Sequence, residues 1–145
     1  MPSRVRKRIA VCPGTFDPIT YGHIDLIERG LRIFDTVIVA VANNLSKAPL
    51  FSTEERMDMV RHYLRKNKRI RVESFDGLIV NFAIQCKAQV LIRGVRMLSD
   101  FEYEFQMALT NRKLDDRVET LFLMPKETYA YLTSRLIKEI ASMHG

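Results

Sequence analysis

The chain has 145 residues, 47% of them hydrophobic and 28% charged, with a formal charge of +6 and two cysteines. That length suits one domain over 1–145 with a buried core. No run nears the ~18 apolar residues of a membrane helix, and the basic start MPSRVRKRIAVCPG lacks an apolar stretch of secretory-signal length. Cys12 and Cys86 are too few for a disulfide framework or a four-ligand zinc site, and both sit among apolar residues. Reduced core thiols in a cytoplasmic protein are the expectation.

The positive excess is local. Arg4, Arg6, Lys7 and Arg8 form one cluster, and Arg61, Arg65, Lys66, Lys68, Arg69 and Arg71 another; the remainder carries 13 basic against 17 acidic residues. Neither cluster is accompanied by an aromatic ladder or a nucleic-acid motif. A solvated surface is the expectation, and a basic nucleic-acid-binding module the distant alternative.

In chain order, a first strand is predicted over 8–12, followed by a helical period in 23–34 carried by Ile24, Ile27, Leu31 and Phe34. A second strand, 36–42, reads TVIVAVA, the near-continuous apolar run of a strand buried on both faces. Ser52 with Glu55 three residues on is a capping-box signature. The helix it opens has Met57, Val60, Tyr63 and Leu64 on its apolar side. A strand over 69–74 leads into a helix through LIVNFAIQC, and one over 89–93 into a helix through FEYEFQMALTNRKL. The fifth strand, 118–124, precedes a helix near 134–143 carrying Leu136, Ile137, Ile140 and Met143. Five βα units imply an α/β fold: a Rossmann-like, doubly wound, five-stranded parallel sheet with helices on both faces and right-handed crossovers. Ligands in such folds bind beyond the carboxyl ends of the strands, in the loops after residues 12, 42, 74, 93 and 124.

The first of these loops is Pro13-Gly14-Thr15-Phe16-Asp17-Pro18-Ile19-Thr20-Tyr21-Gly22-His23. Gly14 lets backbone and phosphate approach closely, Thr15 offers a hydroxyl, and His23 stands at a helix start, where unpaired N–H groups favour an anion. The loop is neither a P-loop nor a GxGxxG element, which argues against a purine triphosphatase or a dinucleotide oxidoreductase.

This loop, with its Thr20-Tyr21-Gly22-His23 ending, resembles the signature of the (T/H)xGH nucleotidyltransferase superfamily. Ser46-Lys47, Phe51-Ser52-Thr53-Glu54-Glu55-Arg56, Leu91-Ile92-Arg93-Gly94-Val95-Arg96, Asp100-Phe101-Glu102-Tyr103-Glu104 and Asn111-Arg112 narrow the resemblance. Together they are similar to the phosphopantetheine adenylyltransferase family, over residues 8 to 143. The resemblance implies reversible adenylyl transfer from ATP to 4′-phosphopantetheine, giving dephospho-coenzyme A and pyrophosphate with magnesium (Mg2+), in a cytoplasmic homohexamer. The acceptor is a phosphate that is already nucleophilic, so in-line positioning and charge stabilisation are what the protein must supply. Phe101, Phe105 and Met107 could line a subunit interface or the core.

By the same resemblance His23, Lys47, Thr15 and Arg96 carry the transfer. The ATP side would be Thr15, Phe16, His23, Gly94, Val95, Arg96 and Glu104, with the segment Tyr129, Ala130, Tyr131, Leu132, Thr133, Ser134 and Arg135. The acceptor side would be Thr15, Lys47, Ile79 and Arg93. No protein ligand to magnesium is named, since the metal is expected on the ATP phosphates. Bland readings stand beside these: Lys47 as a solvated loop lysine, Glu104 as an exposed helix carboxylate, Thr133 and Ser134 as a helix N-cap, and Leu78 and Phe82 as core. Arg135 departs from the family's serine-rich run, and the sequence ends where the family continues into a further short helix. Another superfamily transferase, such as a cytidylyltransferase or a mononucleotide adenylyltransferase, is the alternative.

Overall fold

The computed structural model describes residues 6–43 and 48–145. Five parallel strands, β1 (Ile9–Gly14), β2 (Thr36–Ala42), β3 (Ile70–Phe75), β4 (Val90–Gly94) and β5 (Glu119–Leu123), form one sheet in the order β3-β2-β1-β4-β5. β1 and β2 pair from Ile9 opposite Thr36 to Gly14 opposite Val41. Their apolar runs have the predicted cause, because both faces of β2 are covered. Val37, Val39 and Val41 join one buried cluster and Ile38 and Ala40 the other.

The first cluster lies under helices α1 (Tyr21–Leu31) and α2 (Thr53–Leu64), which contribute Ile27, Leu31, Met57, Val60 and Leu64. The second lies under α3 (Ile79–Gln85), through Val80 and Ala83, with α4 (Leu98–Leu114) packed on α3 and β5. Gly30 brings α1 onto the sheet: a Cβ there would lie 2.7 Å from Ile92 Cδ1. The sheet order reverses direction between β1 and β4. The loops leaving these two strands therefore diverge and open a crevice at the carboxyl edge.

Several helix ends differ from the sequence reading. α1 starts at Tyr21 because Thr20 caps it, and it stops at Leu31, leaving Phe34 buried in the turn that follows. The Ser52–Glu55 capping box opens α2 as expected. Tyr63, expected on the apolar side of α2, is exposed, and Arg56 is buried in the stripe with Met57, Val60 and Leu64. α4 begins three residues before Phe101, and its apolar residues are spread around it: Phe101, Phe105 and Met107 are exposed rather than core. The last helix, α5 (Ser134–Ser142), buries no residue, with Ile140 and Met143 exposed.

The described residues of the two basic clusters lie at the opposite, amino-terminal edge of the sheet, where α2 ends and β1 and β3 begin. There Arg69 donates to the Leu31 and Phe34 carbonyls, while Arg6, Lys7, Arg8, Arg61, Arg65, Lys66 and Lys68 point to solvent. No described helix is long and apolar enough to cross a membrane.

Candidate active site

Two cavities open at the carboxyl edge, of about 450 and 400 Å³. The larger lies at the switch point between β1 and β4, against the loop before α5; the smaller lies between the ends of β1 and β2, α3 and α4. They share Pro13, Gly14, Thr15, Arg93, Tyr103 and Glu104. Thr15 is exposed at this common wall, so its hydroxyl and peptide group face two compartments at once.

The first loop is built to hold Thr15 there. Phe16 takes a left-handed backbone (φ 52°) and is buried, its ring 4.9 Å from the His23 imidazole and edge-on to it. A Cβ on Gly14 would come within 2.9 Å of that ring, so glycine makes room for Phe16. Thr20 and His23 form a reciprocal cap. The His23 N–H donates to Thr20 Oγ1 (3.3 Å), and the Thr20 N–H donates to His23 Nδ1 (3.0 Å). With Nδ1 accepting, the proton of a neutral ring sits on Nε2. Burial, reinforced by the nearby Arg96 and Arg93 cations, pulls His23 down to about 4. The imidazole lining the larger cavity is thus a neutral Nε2–H donor flanked by two permanent cations.

Arg93 closes the common wall. Its Nε and Nη2 donate to the two Glu104 oxygens at 2.9 and 2.6 Å, and its Nη1 donates to the Pro13 carbonyl at 2.8 Å. Burial opposes its charge, but the bidentate bonds to Glu104 hold its pKa above the usual arginine value. The charge that ends an apolar strand has therefore found a carboxylate, and Glu104 is buried rather than an exposed helix residue. Arg96 ties the first turn of α4 to the loop before α5, bonding to Asp100 Oδ2 (3.2 Å) and the Leu132 carbonyl (3.1 Å). Cys12, at the cavity floor, is a free thiol pushed up to about 12 by burial, and so inert.

Of the residues expected on the ATP side, Thr15, Phe16, His23, Gly94, Arg96, Glu104, Leu132, Thr133 and Ser134 line the larger cavity. Val95, Tyr129, Ala130, Tyr131 and Arg135 do not. Val95 instead donates its N–H to the Leu123 carbonyl, and Arg135 pairs with Glu139 on the exposed side of α5. Thr133 is the N-cap of α5, accepting from the Leu136 N–H, while the Ser134 hydroxyl donates to the Pro18 carbonyl. On the acceptor side Thr15, Ile79 and Arg93 line the smaller cavity, together with Leu78. Phe82 packs on the second core cluster, as its bland reading held. Lys47 lies outside the described residues.

Two residues missed as functional candidates stand out. Asp17 is 2% exposed and accepts the N–H groups of Leu50 and Phe51 and the ammonium of Lys138. Burial would raise its carboxyl, but those donors hold it below the usual range. Arg56 is 1% exposed and, among the described residues, bonds only to neutral oxygens. Its sequence signal was its place four residues before Val60 and eight before Leu64, a charge on an apolar stripe.

Residues 11–140 match the cytidylyltransferase-like family. The phosphopantetheine adenylyltransferase of Geobacter sulfurreducens is 56% identical over 138 residues, covering 95% of this chain and 84% of that one. That of Caldanaerobacter subterraneus is 52% identical, covering 95% and 86%. Among solved structures, the bifunctional NMN adenylyltransferase/ADP ribose pyrophosphatase of Francisella tularensis has a TM-score of 0.67 at 14% identity. It covers 93% of this chain and 41% of that one, a likeness of fold alone. Two compartments meeting at a threonine and an arginine, on a chain more than half identical to such relatives, place it in one family: this chain belongs to the phosphopantetheine adenylyltransferases.

Proposed function

We propose that the two cavities are the two halves of one adenylyl-transfer centre, with ATP in the larger and 4′-phosphopantetheine in the smaller. The reaction is the family's, a step of coenzyme A biosynthesis. A phosphate oxygen of the acceptor attacks the α-phosphorus of ATP as the bond from that phosphorus to the pyrophosphate oxygen breaks. Dephospho-coenzyme A forms, pyrophosphate leaves, and the reverse follows the same path. The observation that carries this assignment is the common wall, because reactants in separate cavities can meet only where the cavities do.

No general base is needed, since the attacking phosphate is already ionised; the work is positioning and charge stabilisation. His23 donates from Nε2 to the phosphate chain, and Arg96 adds a fixed positive charge held by Asp100 and the Leu132 carbonyl. The Thr133-capped N-terminus of α5 faces the same cavity and offers unpaired N–H groups to further oxygens. Arg93, fixed by Glu104, presents its remaining donor capacity to the acceptor's phosphate at the boundary, and Lys47 is assigned to the same reactant by the family resemblance alone. The pantetheine arm lies along the smaller, more apolar cavity beside Leu78 and Ile79.

Magnesium fits this centre as a passenger of ATP. The two carboxylates lining the larger cavity, Asp100 and Glu104, are each bound by an arginine, and no group of three metal-ligating side chains occurs among the described residues. The ion would be held by phosphate oxygens and water, where it neutralises charge on the triphosphate. The exposed Phe101 and Phe105, ring centroids 5.7 Å apart, form an apolar face on α4 that suits a homohexamer's subunit contact, in the cytoplasm.

The test is pyrophosphate release from ATP, magnesium and 4′-phosphopantetheine. Turnover is expected with this pair and not with CTP or with nicotinamide mononucleotide as acceptor. The reverse pattern would replace this reading with another transferase of the superfamily. Tight, salt-dependent nucleic-acid binding without turnover would replace it with the basic-module reading.

A further inference from the structure

Arg56 is the largest fully buried side chain of the described residues, and its cation meets neutral oxygens only. Nη1 donates to the Thr15 carbonyl (2.9 Å) and the Ala42 carbonyl (2.8 Å), Nε to the Phe51 carbonyl (3.1 Å), and Nη2 to Thr53 Oγ1 (3.0 Å). A buried charge without a counter-ion is a poor way to hold a core together, since an apolar side chain would do so at lower desolvation cost. The distribution of its partners explains its presence. One is the residue at the wall common to both cavities, and the others are the last residue of β2 and the first residues leading into α2.

We propose that Arg56 is a positioning residue for the transfer: its guanidinium fixes the Thr15 peptide, and with it the hydroxyl and N–H of the residue that both reactants touch. The inference rests on the two-cavity reading above. The planar fork is what makes it work, because four acceptors on three chain segments are satisfied at once in a fixed geometry. An ammonium has three donors on a flexible stem and holds at most part of the set. Both Ala42 and Phe51 flank the segment that contains Lys47, so one side chain sets the spacing of Thr15 and of that segment's two ends. Displacement of a reacting group by about 1 Å costs up to about 10²-fold in rate. The effect belongs in kcat, since each reactant keeps the rest of its own cavity.

The experiment compares Arg56→Lys with wild type in the pyrophosphate-release assay, alongside thermal melting. Lysine keeps the charge, so a loss reports geometry. A kcat lowered about 10–100-fold is expected, with KM for each reactant within about threefold. Millimolar guanidinium should restore part of the kcat of Arg56→Ala without changing KM. Should neither variant fold, Thr53→Val removes one acceptor of the arginine together with the hydroxyl's bond to Asn43 Oδ1 (2.6 Å), and Asn43→Ala removes that second bond while leaving the arginine's; a severalfold fall in kcat in Thr53→Val beyond that of Asn43→Ala, at unchanged melting temperature, supports positioning. Wild-type kcat in a folded Arg56→Lys, or in Thr53→Val, overturns the proposal and leaves Arg56 a fold staple. Wild-type protein that fails to turn over the substrate pair overturns the functional reading instead.

Discussion

His23 supplies the sharpest test of the chemistry, because its charge state and its tautomer are both set by neighbours. Its pKa is pulled to about 4, and Nδ1 is taken by the Thr20 N–H, so the group that the proposed function has facing phosphate is a neutral Nε2–H. Loss of one such donor costs about 10²–10³-fold in kcat, or ~2.7–4 kcal/mol of transition-state stabilisation; that is the expectation for His23→Ala. Glutamine carries an amide near the reach of Nε2, asparagine one near Nδ1, so His23→Gln should retain more activity than His23→Asn. The decisive assay is kcat/KM for pyrophosphate release from pH 5 to 9, which reports free enzyme and free substrates. A group with a pKa of about 4 is already deprotonated across that range. The profile should therefore rise with the acceptor's second phosphate ionisation, near 6, and then stay level. A cationic His23 would do the opposite, with kcat/KM falling as pH rises past about 6.5 and that limb vanishing in His23→Gln. Such a limb refutes the neutral-donor argument.

Three further outcomes follow from the same geometry. Arg93→Met strands the Glu104 carboxylate and should cost about 2–4 kcal/mol in urea unfolding, below the fully buried range because Arg93 is 34% exposed; Arg93→Met with Glu104→Leu should recover most of it without activity, and a double variant as unstable as the single contradicts the pairing. The His23 pKa is depressed on folding, so the unfolded ring takes up a proton from about pH 6.5 while the folded ring refuses it until about 4. Stability present above pH 6.5 is then lost as pH falls through that window, by up to ~3 kcal/mol, and His23→Gln should flatten the dependence of the urea midpoint on pH. Phe105→Glu places a charge on the exposed apolar face of α4 and should lower the sedimentation coefficient of the proposed homohexamer; an unchanged value removes this face from that proposal.

What could be read from the sequence divides along a physical line. The strands were legible because burial on both faces leaves a continuous apolar run, as in 36–42, and the carboxyl-edge loops followed from the alternation of strands with helices, which implies a parallel sheet. The opening of α2 was legible because a capping box is a local pattern, Ser52 with Glu55. His23 was legible as a residue of the binding edge but not as a neutral ring, since that depends first on its burial in the folded chain and then on Arg96 and Arg93, brought beside it by β4 and the turn that follows. Thr133 and Ser134 were read as phosphate ligands or caps; the structure makes Thr133 a cap and spends the Ser134 hydroxyl on Pro18, a bond across 116 residues that no spacing announces. Arg56 is visible as a charge on an apolar stripe, but what it holds is not, because the carbonyls of Thr15, Ala42 and Phe51 are brought to it only by the fold.

The buried polar and charged residues among those described are Asp17, Thr20, Arg56 and Glu104, and all of them sit at the edge where the cavities open. Each is satisfied, since no buried side-chain nitrogen or oxygen among the described residues lacks a partner. Their partners are loop groups and strand ends: the N–H groups of Leu50 and Phe51 for Asp17, the carbonyls of Thr15, Phe51 and the last residue of β2, Ala42, for Arg56, and Arg93 near the end of β4 for Glu104. Loop backbone has no regular ladder to fix it, so side chains must, and water would compete for the same bonds if they were exposed. A nucleophile already ionised at neutral pH leaves the protein little to do except hold two anionic reactants in line. The expensive buried groups are therefore found where geometry has to be held: Asp17 and Arg56 fix the loops behind the cavities, and Thr20 and Glu104 fix His23 and Arg93 in the cavity walls.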